Sequence, residues 1–279
     1  MSLNSVNTNV GAIVALQSLN AINVEMMQVQ RRISTGLRVA SAKDNPAIWA
    51  IAQNQRAESR GLDAVMASLQ RGQSIAGVAM AAGESISDIL AEMKSLALSA
   101  QDYDPADPAR TAINENYLAL RRRIDVAAAN AEFDGVNLIS AGGTGQVRAL
   151  ANTSATDTIN VDHVDLSTTG SLLSGIRADL LGVITPADSD NLATAMKSVN
   201  SAVARLGTGS KSLDMHLKFV GKLQDAVDMG IGNLVDADLA KESARLQALQ
   251  VRQQLAIISL RIANDAPSML LQLFRSNGR

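Results

Sequence analysis

The chain has 279 residues, 47% of them apolar but only 2% aromatic (three Phe, two Tyr and one Trp). Its 25 Lys and Arg against 27 Asp and Glu leave a formal charge of −2, which provides no basic field to hold nucleic acid. It has no cysteine, which excludes disulfides, thiol catalysis and Cys-ligated metals. Burial must therefore come from Leu, Ile, Val, Met and Ala, a supply better suited to long packed helices than to an aromatic-anchored globule. The opening MSLNSVNTNVGAIVALQS lacks a basic stretch followed by an apolar run, so no cleavable signal peptide is expected. No run of 18 apolar residues is read as a membrane span.

Residues 3–34 are expected to form a helix with Leu3, Val6, Val10, Ile13, Leu16, Leu19, Val24, Met27 and Ile33 on its apolar side. Its opening is rich in Asn and Ser, so it is expected to order only when packed. TGLRVASAKDNP, residues 35–46, breaks the pattern with Gly36 and Pro46, and Asp44 is the candidate cap of the next helix. That helix runs from Pro46 to about Gln101, with Leu62, Val65, Leu69, Gly72, Ala76, Ala79, Gly83, Ile86, Leu90, Met93, Ala97 and Ala100 at alternating three- and four-residue steps. DYDPADP makes a turn, and Asp107-Pro108 opens a third helix with Ile113, Tyr117, Leu120, Ile124 and Ala127 on its seam. Asp134-Gly135 signals a tight turn.

Residues 141–188 are rich in Ser, Thr and Gly, with short alternations such as Thr158-Ile159-Asn160-Val161, and read as hairpins and loops. The helical pattern returns from about Asp190, with Leu192, Met196, Val199, Val203, Leu206, Ser210, Leu213, Leu217, Val220, Gln224 and Val227 in four–three steps. A final helix is expected from about Gly232, with Asp236 and Asp238 in its first turn and Pro267 as its stop. Its seam is Val235, Leu239, Glu242, Leu246, Leu249, Gln253, Ala256, Leu260 and Ala263; a second stripe, Val251, Leu255, Ile258 and Ile262, widens the apolar face.

The fold class that follows is mainly α: an elongated antiparallel helical rod, or coiled-coil bundle, of N- and C-terminal helices with a small hairpin and loop region in the middle. Three divisions are expected: 1–40 with 235–279, 41–140 with 189–234, and 141–188. The breadth of the terminal apolar faces implies that other copies of the chain cover them.

NTNVGAIVALQSLN and RRISTGLRVASAKDNPA at one end, EFDGVNLI before the middle, and NLVDADLAKESARLQALQVRQQLAIISLRIANDAP with LLQLFR at the other resemble the terminal signatures of bacterial flagellin. The brief middle and the DADLAKESARLQ wording resemble the short alphaproteobacterial, Caulobacter-like type. The resemblance covers roughly the first 140 and last 90 residues. It implies a structural subunit exported unfolded through the flagellar type III secretion channel, polymerising under a distal cap into a hollow extracellular filament for motility. The partners it implies are other copies or paralogues, an export chaperone, and the cap and hook-associated junction proteins, with neither nucleic acid nor membrane insertion. Helix pairing and polymer contact fall on Leu3, Val6, Val10, Ile13, Leu16, Leu19, Val24, Met27, Val235, Leu239, Leu246, Leu249, Leu255, Ile258, Leu260 and Ile262. In flagellins recognised by Toll-like receptor 5, the end of the second helix exposes an Arg and a Glu. Here that stretch, with Leu90, Glu92, Met93, Ser95 and Leu96, places Glu92 and Ser95 at those positions, which implies weak or absent activation. The resemblance also makes Thr153, Ser154, Thr156, Thr158, Ser167, Thr168 and Thr169 candidates for O-glycosylation.

Other motifs have plainer readings. His163 and His216 lack metal-ligand neighbours, and GTGSKS at 207–212 lacks the order of a phosphate loop and lies inside a helical seam. Arg121-Arg122-Arg123 fans around a helix, and Asp236 with Asp238 suits a helix start better than a metal pair. No nucleophile–base set or glycine-rich cofactor loop is present, so neither an enzyme nor a cofactor is expected. The alternatives are the hook–filament junction protein, which shares the terminal-helix plan, and a secreted coiled-coil adaptor or pore-forming protein.

Overall fold

The computed structural model describes residues 8–143 and 145–276, with side chains through Asp265. Among them the elements are α1 (Val10–Thr35), α2 (Pro46–Ser99), a 3-10 turn (Ala100–Asp102), α3 (Pro108–Asn130), β1 (Glu132–Phe133), β2 (Val136–Asn137), β3 (Val147–Leu150), β4 (Thr158–Val161), α4 (Pro186–Val235) and α5 (Leu239–Ser276). The chain is thus mainly α, with small strands confined to its middle.

Local chemistry sets most boundaries. The Asn9 side chain accepts the Ala12 N–H at 3.0 Å and caps α1, and Gly36, at φ 71°, ends it in the left-handed conformation that glycine adopts most readily. Asn45, not Asp44, caps α2, taking the Ile48 N–H at 3.1 Å; Asp44 instead closes the preceding loop by accepting the N–H groups of Ala40 and Ser41. Asp107 and Pro108 open α3 as expected. Asp134 (φ 51°) and Gly135 (φ 75°) form the turn between β1 and β2. α4 starts four residues before the expected Asp190, where the Thr185 N–H and hydroxyl both donate to Asp188.

Three expectations at the C-terminal side need correction. α4 continues through Gly232 to Val235, so Val235 ends that helix and does not open α5. Asp236 lies in the link, and Asp238 alone caps α5 through the N–H groups of Ala240 and Lys241. Pro267 does not stop α5, which runs on to Ser276.

The chain forms two compact units, residues 1–57 with 227–279 and residues 58–226. In the first, α1 and α5 lie along one another. A small cluster of Val39, Ala52, Ile231 and Val235 packs with Trp49. Backbone bonds from Arg38 and Val39 to the Val235 carbonyl, and from Ala237 to Gly36, tie the two chain segments together.

In the second unit all twelve α2 seam residues from Leu62 to Ala100 are buried. They face the α4 row of Leu192, Val199, Leu206, Leu213 and Val220. The helices are antiparallel there: Gln224 donates to Asp63 at 2.7 Å and Ser87 to Asn200 at 3.0 Å. Glycine permits the close approach, since a Cβ at Gly83 would lie 2.6 Å from Val203 Cγ2. β3 and β4 pair antiparallel from Val147↔Val161 to Leu150↔Thr158. The segment between β4 and α4, residues 162–185, is strapped to α3, where buried Arg110 donates to the carbonyls of Leu180 and Gly182 as well as to that of Tyr103. Asn114 accepts the Leu180 N–H at 2.7 Å, and Asp125 accepts both the N–H and the hydroxyl of Thr168.

By length and mean hydropathy alone, α1 and the Pro46–Asp102 stretch are apolar enough to cross a membrane, although neither holds 18 consecutive apolar residues. In the second stretch the apolar residues form the core seam just described.

Candidate assembly interface

The α1–α5 pair carries the residues expected to drive assembly. Its polar contacts run in opposite order along the two helices, which makes the pairing antiparallel. Asn9 meets Ala263, Asn23 meets Gln253, Glu25 meets Arg245 and Arg32 meets Glu242. On α5 the covered row is Glu242, Leu246, Leu249, Gln253, Ala256, Leu260 and Ala263. Leu239, expected in that row, is the first residue of α5 and stays 49% exposed.

On α1 the covered row differs from the expected one. Ala12, Ala15, Leu19, Ile22, Met26, Val29 and Ile33, again at three–four steps, are buried or half-buried. Of the residues expected on the apolar side, Leu19 and Ile33 lie in this row. Val10, Ile13, Leu16, Val24 and Met27 are exposed, and Leu3 and Val6 fall outside the described residues. The missed signal was the three–four spacing of Ile22, Met26 and Val29 with Leu19 and Ile33; Ala12 and Ala15, which a search for large apolar residues passes over, continue that row toward the N-terminus. On α5, Leu255, Ile258 and Ile262 are also exposed, beside Val251 and Ile257. The pair therefore closes one seam and leaves wide apolar stripes on both helices.

At the base of the pair, Asp44 sits 3.9 Å from Arg31. Burial acts to raise the Asp44 carboxyl, but hydrogen bonds from Ser41 and Ala40 and the Arg31 charge outweigh it and hold the group below its usual range. Glu242 is buried, with one carboxylate oxygen 3.0 Å from Arg32 Nη1.

The other candidate residues lie in the second unit. Leu90 and Met93 are core residues with no exposed surface, Leu96 is half-buried, and Glu92 and Ser95 are exposed one helical turn apart. Ser154, Thr156 and Thr169 are exposed; Thr153, half-buried, donates to Glu58 at 2.7 Å, and Thr158, also half-buried, donates to Asn160 at 3.1 Å. Ser167 and Thr168 are buried, with hydroxyls donating to Asp165 and Asp125, so folding removes both from the accessible set. His163 and His216 contact the backbone carbonyls of Ser140 and Ala151, and no group of three metal-ligating side chains occurs among the described residues.

Family models for the bacterial flagellin N-terminal and C-terminal helical regions match residues 6–144 and 190–274. The chain is 47% identical to flagellin FljK of Caulobacter vibrioides over 99% of this chain and 100% of that one. The chain belongs to the flagellin family. A flagellin of Brucella melitensis is 34% identical over 97% of this chain and 99% of its own length. A crystal structure of Bacillus cereus flagellin, 25% identical, covers 54% of this chain and 86% of that chain with a TM-score of 0.46. This flagellin is a structural subunit of the bacterial flagellar filament, and its family forms the extracellular part of that organelle, in which paralogous chains polymerise together.

Proposed function

We propose that this flagellin is exported unfolded through the flagellar type III channel and polymerises through its terminal helices into a swimming filament. The observation that carries this reading is the pair of uncovered apolar stripes, Val10, Ile13, Leu16, Val24 and Met27 on α1 and Val251, Leu255, Ile258 and Ile262 on α5. Apolar faces of that extent are removed from water by other copies of the same chain. Residues 1–40 and 235–279 then make the inner core of the filament, 41–140 and 189–234 the outer core, and 141–188 the solvent-facing surface. A chaperone protects the C-terminal segment before export, and the cap and junction proteins bound the polymer. The chain performs no catalysis. Glu92 and Ser95 blunt recognition by the innate receptor, and exposed Ser154, Thr156 and Thr169, with half-buried Thr153 and Thr158, are the accessible O-glycosylation candidates.

Electron microscopy after heat monomerisation and salt-induced reassembly tests the reading, beside a chain lacking residues 1–34 and 235–279. Long filaments from the intact chain and none from the truncated one are expected. A discrete small oligomer from the intact chain would favour a hook–filament junction protein or a secreted coiled-coil adaptor.

A further inference from the structure

The covered seam of the α1–α5 pair is built mostly from Ala, Leu, Ile, Val and Met on a seven-residue repeat. Such a seam does not by itself choose a register, because a slip of one repeat again sets apolar side chains against apolar ones. A slip moves one helix past the other by about 10 Å. It would offset the exposed stripe of α1 from that of α5 and so destroy any single polymer contact surface.

Three polar contacts break this degeneracy. The first depends on Pro267. In an α-helix the carbonyl of residue 263 bonds the N–H of residue 267, and proline has none. α5 nonetheless runs through Pro267, and the Ala263 carbonyl accepts Asn9 Nδ2 at 2.6 Å. The same Asn9 caps α1 with its other side-chain atom. The second contact is Gln253 Nε2 to Asn23 Oδ1 at 2.7 Å, and the third is Arg32 to Glu242 at 3.0 Å. One repeat out of register, Asn23 would meet Leu246 or Leu260, and Arg32 would meet Leu249. A charge or amide set against leucine loses its partner without regaining water.

Arg32 Nε and Glu242 Oε2 are buried without a partner among the described residues. An ion pair so incompletely satisfied adds little stability over an apolar pair, while a polar layer in a helical seam is well suited to specifying register.

We propose that Asn9 on the carbonyl freed by Pro267, Asn23 with Gln253, and Arg32 with Glu242 are positioning residues that lock α1 to α5 in one register and thereby align the polymer-contact stripes. The proposal rests on the filament-subunit reading.

The cysteine-free chain permits a direct test. A Cβ at Gly11 would lie 3.7 Å from Ala263 Cβ, within the disulfide range of about 3.5–4.5 Å. Gly11→Cys with Ala263→Cys reports the native register, and Gly11→Cys with Ala256→Cys a slip of one repeat. Oxidation of the full chain, each variant compared with the parent in the same assembly state, should favour the native pair at least about tenfold. Combining Asn9→Ala with Arg32→Leu and Glu242→Leu should reduce that preference to about threefold or less, and electron microscopy should show filaments irregular or absent. The charge-reversed pair Arg32→Glu with Glu242→Arg should keep the preference. With Pro267→Ala, which restores an N–H for the Ala263 carbonyl, Asn9→Ala should change the preference less than it does in the parent.

Undiminished preference and normal filaments from the apolar variant would overturn the proposal, as would a parent chain that cross-links equally in both registers. The filament reading fails separately, on a parent chain that makes no filaments whatever its cross-linking register.

Discussion

In the unit of residues 58–226, every α2 seam residue from Leu62 to Ala100 is buried, and glycines let α4 and the β3–β4 hairpin close over that row. The α1–α5 pair, drawn from the same aromatic-poor composition, covers one stripe and leaves another open, with Val251 56%, Leu255 60%, Ile258 53% and Ile262 65% exposed. Seam regularity alone does not explain the difference, because both regions carry regular three–four rows. The number of surfaces available to each helix does. α2 meets α3, α4 and the small strands, whereas α1 and α5 have chiefly each other and are apolar over more of their circumference than one partner can cover. The first arrangement stabilises a folded unit, and the second leaves exposed the apolar surface that the proposed filament reading assigns to association.

The sharpest separation of the two comes from matched truncations. Leu90→Ala should cost about 2–5 kcal/mol of unfolding free energy by opening a cavity in a fully buried site. Leu255→Ala should leave monomer stability within about 0.5 kcal/mol and instead slow or abolish filament growth. Chemical denaturation of the monomer beside turbidity of reassembly measures both, and a Leu255→Ala chain that loses folding stability but assembles normally would break the contrast.

Arg110→Ala should destabilise the closed unit by about 3 kcal/mol, since it strands the carbonyls of Tyr103, Leu180 and Gly182. Hydrogen exchange at residues 178–184 should rise before exchange in the α2 seam does.

Gly83→Ala tests the close helix approach. Its new Cβ would force Val203 to move and should cost about 1–3 kcal/mol, measured as a lower denaturation midpoint.

Acid stability sharpens the contrast with a smaller effect. Burial acts to raise the Asp188 carboxyl, but the Thr185 hydrogen bonds and Arg177 outweigh it and hold it low. A carboxyl depressed in the folded state contributes stability that is present above the unfolded value of 3.8 and lost as pH falls through the folded value. Asp188→Asn should therefore lower the midpoint at pH 7 and flatten its fall below about pH 4. Tyr117, pushed up to about 12 by burial that outweighs nearby arginines, stays neutral across that range.

Glu92→Arg should change stability least, within about 0.5 kcal/mol, because the side chain is exposed. Its readout is receptor activation in a reporter cell line: a rise over the parent chain is expected, and potent activation by the parent itself would refute the evasion reading.

Much of the closed unit was legible from the residues. The α2 and α4 seams keep their three–four spacing without interruption, through Gly72, Ala76, Ala79 and Gly83 as through the large apolar residues, so the inward face of each helix was readable, and Asp107-Pro108 and Asp134-Gly135 act locally. The helix ends near Asp44, Asp236 and Pro267 were harder to read. Asp44 and Asn45 are both competent caps, and geometry three residues on decided between them. Gly232 permits a break without requiring one. Pro267 does not end α5, and the Ala263 carbonyl left without its N–H accepts the side chain of Asn9, the α1 cap.

The family, the mainly α architecture, the strand-bearing middle and the one-sided seams of α2 and α4 were determined by the sequence alone, because residue spacing and local turn chemistry act within a few residues. The inward face of α1 was decided only by tertiary structure. That helix is apolar on several sides, so periodicity permits more than one inward stripe, and the choice of Ala12, Ala15, Leu19, Ile22, Met26 and Val29 depends on what α5 presents. Accessibility in the middle segment was decided the same way: Ser167 and Thr168 are as polar as Ser154 and Thr156, and packing against α3 and the adjoining loop buries the first two.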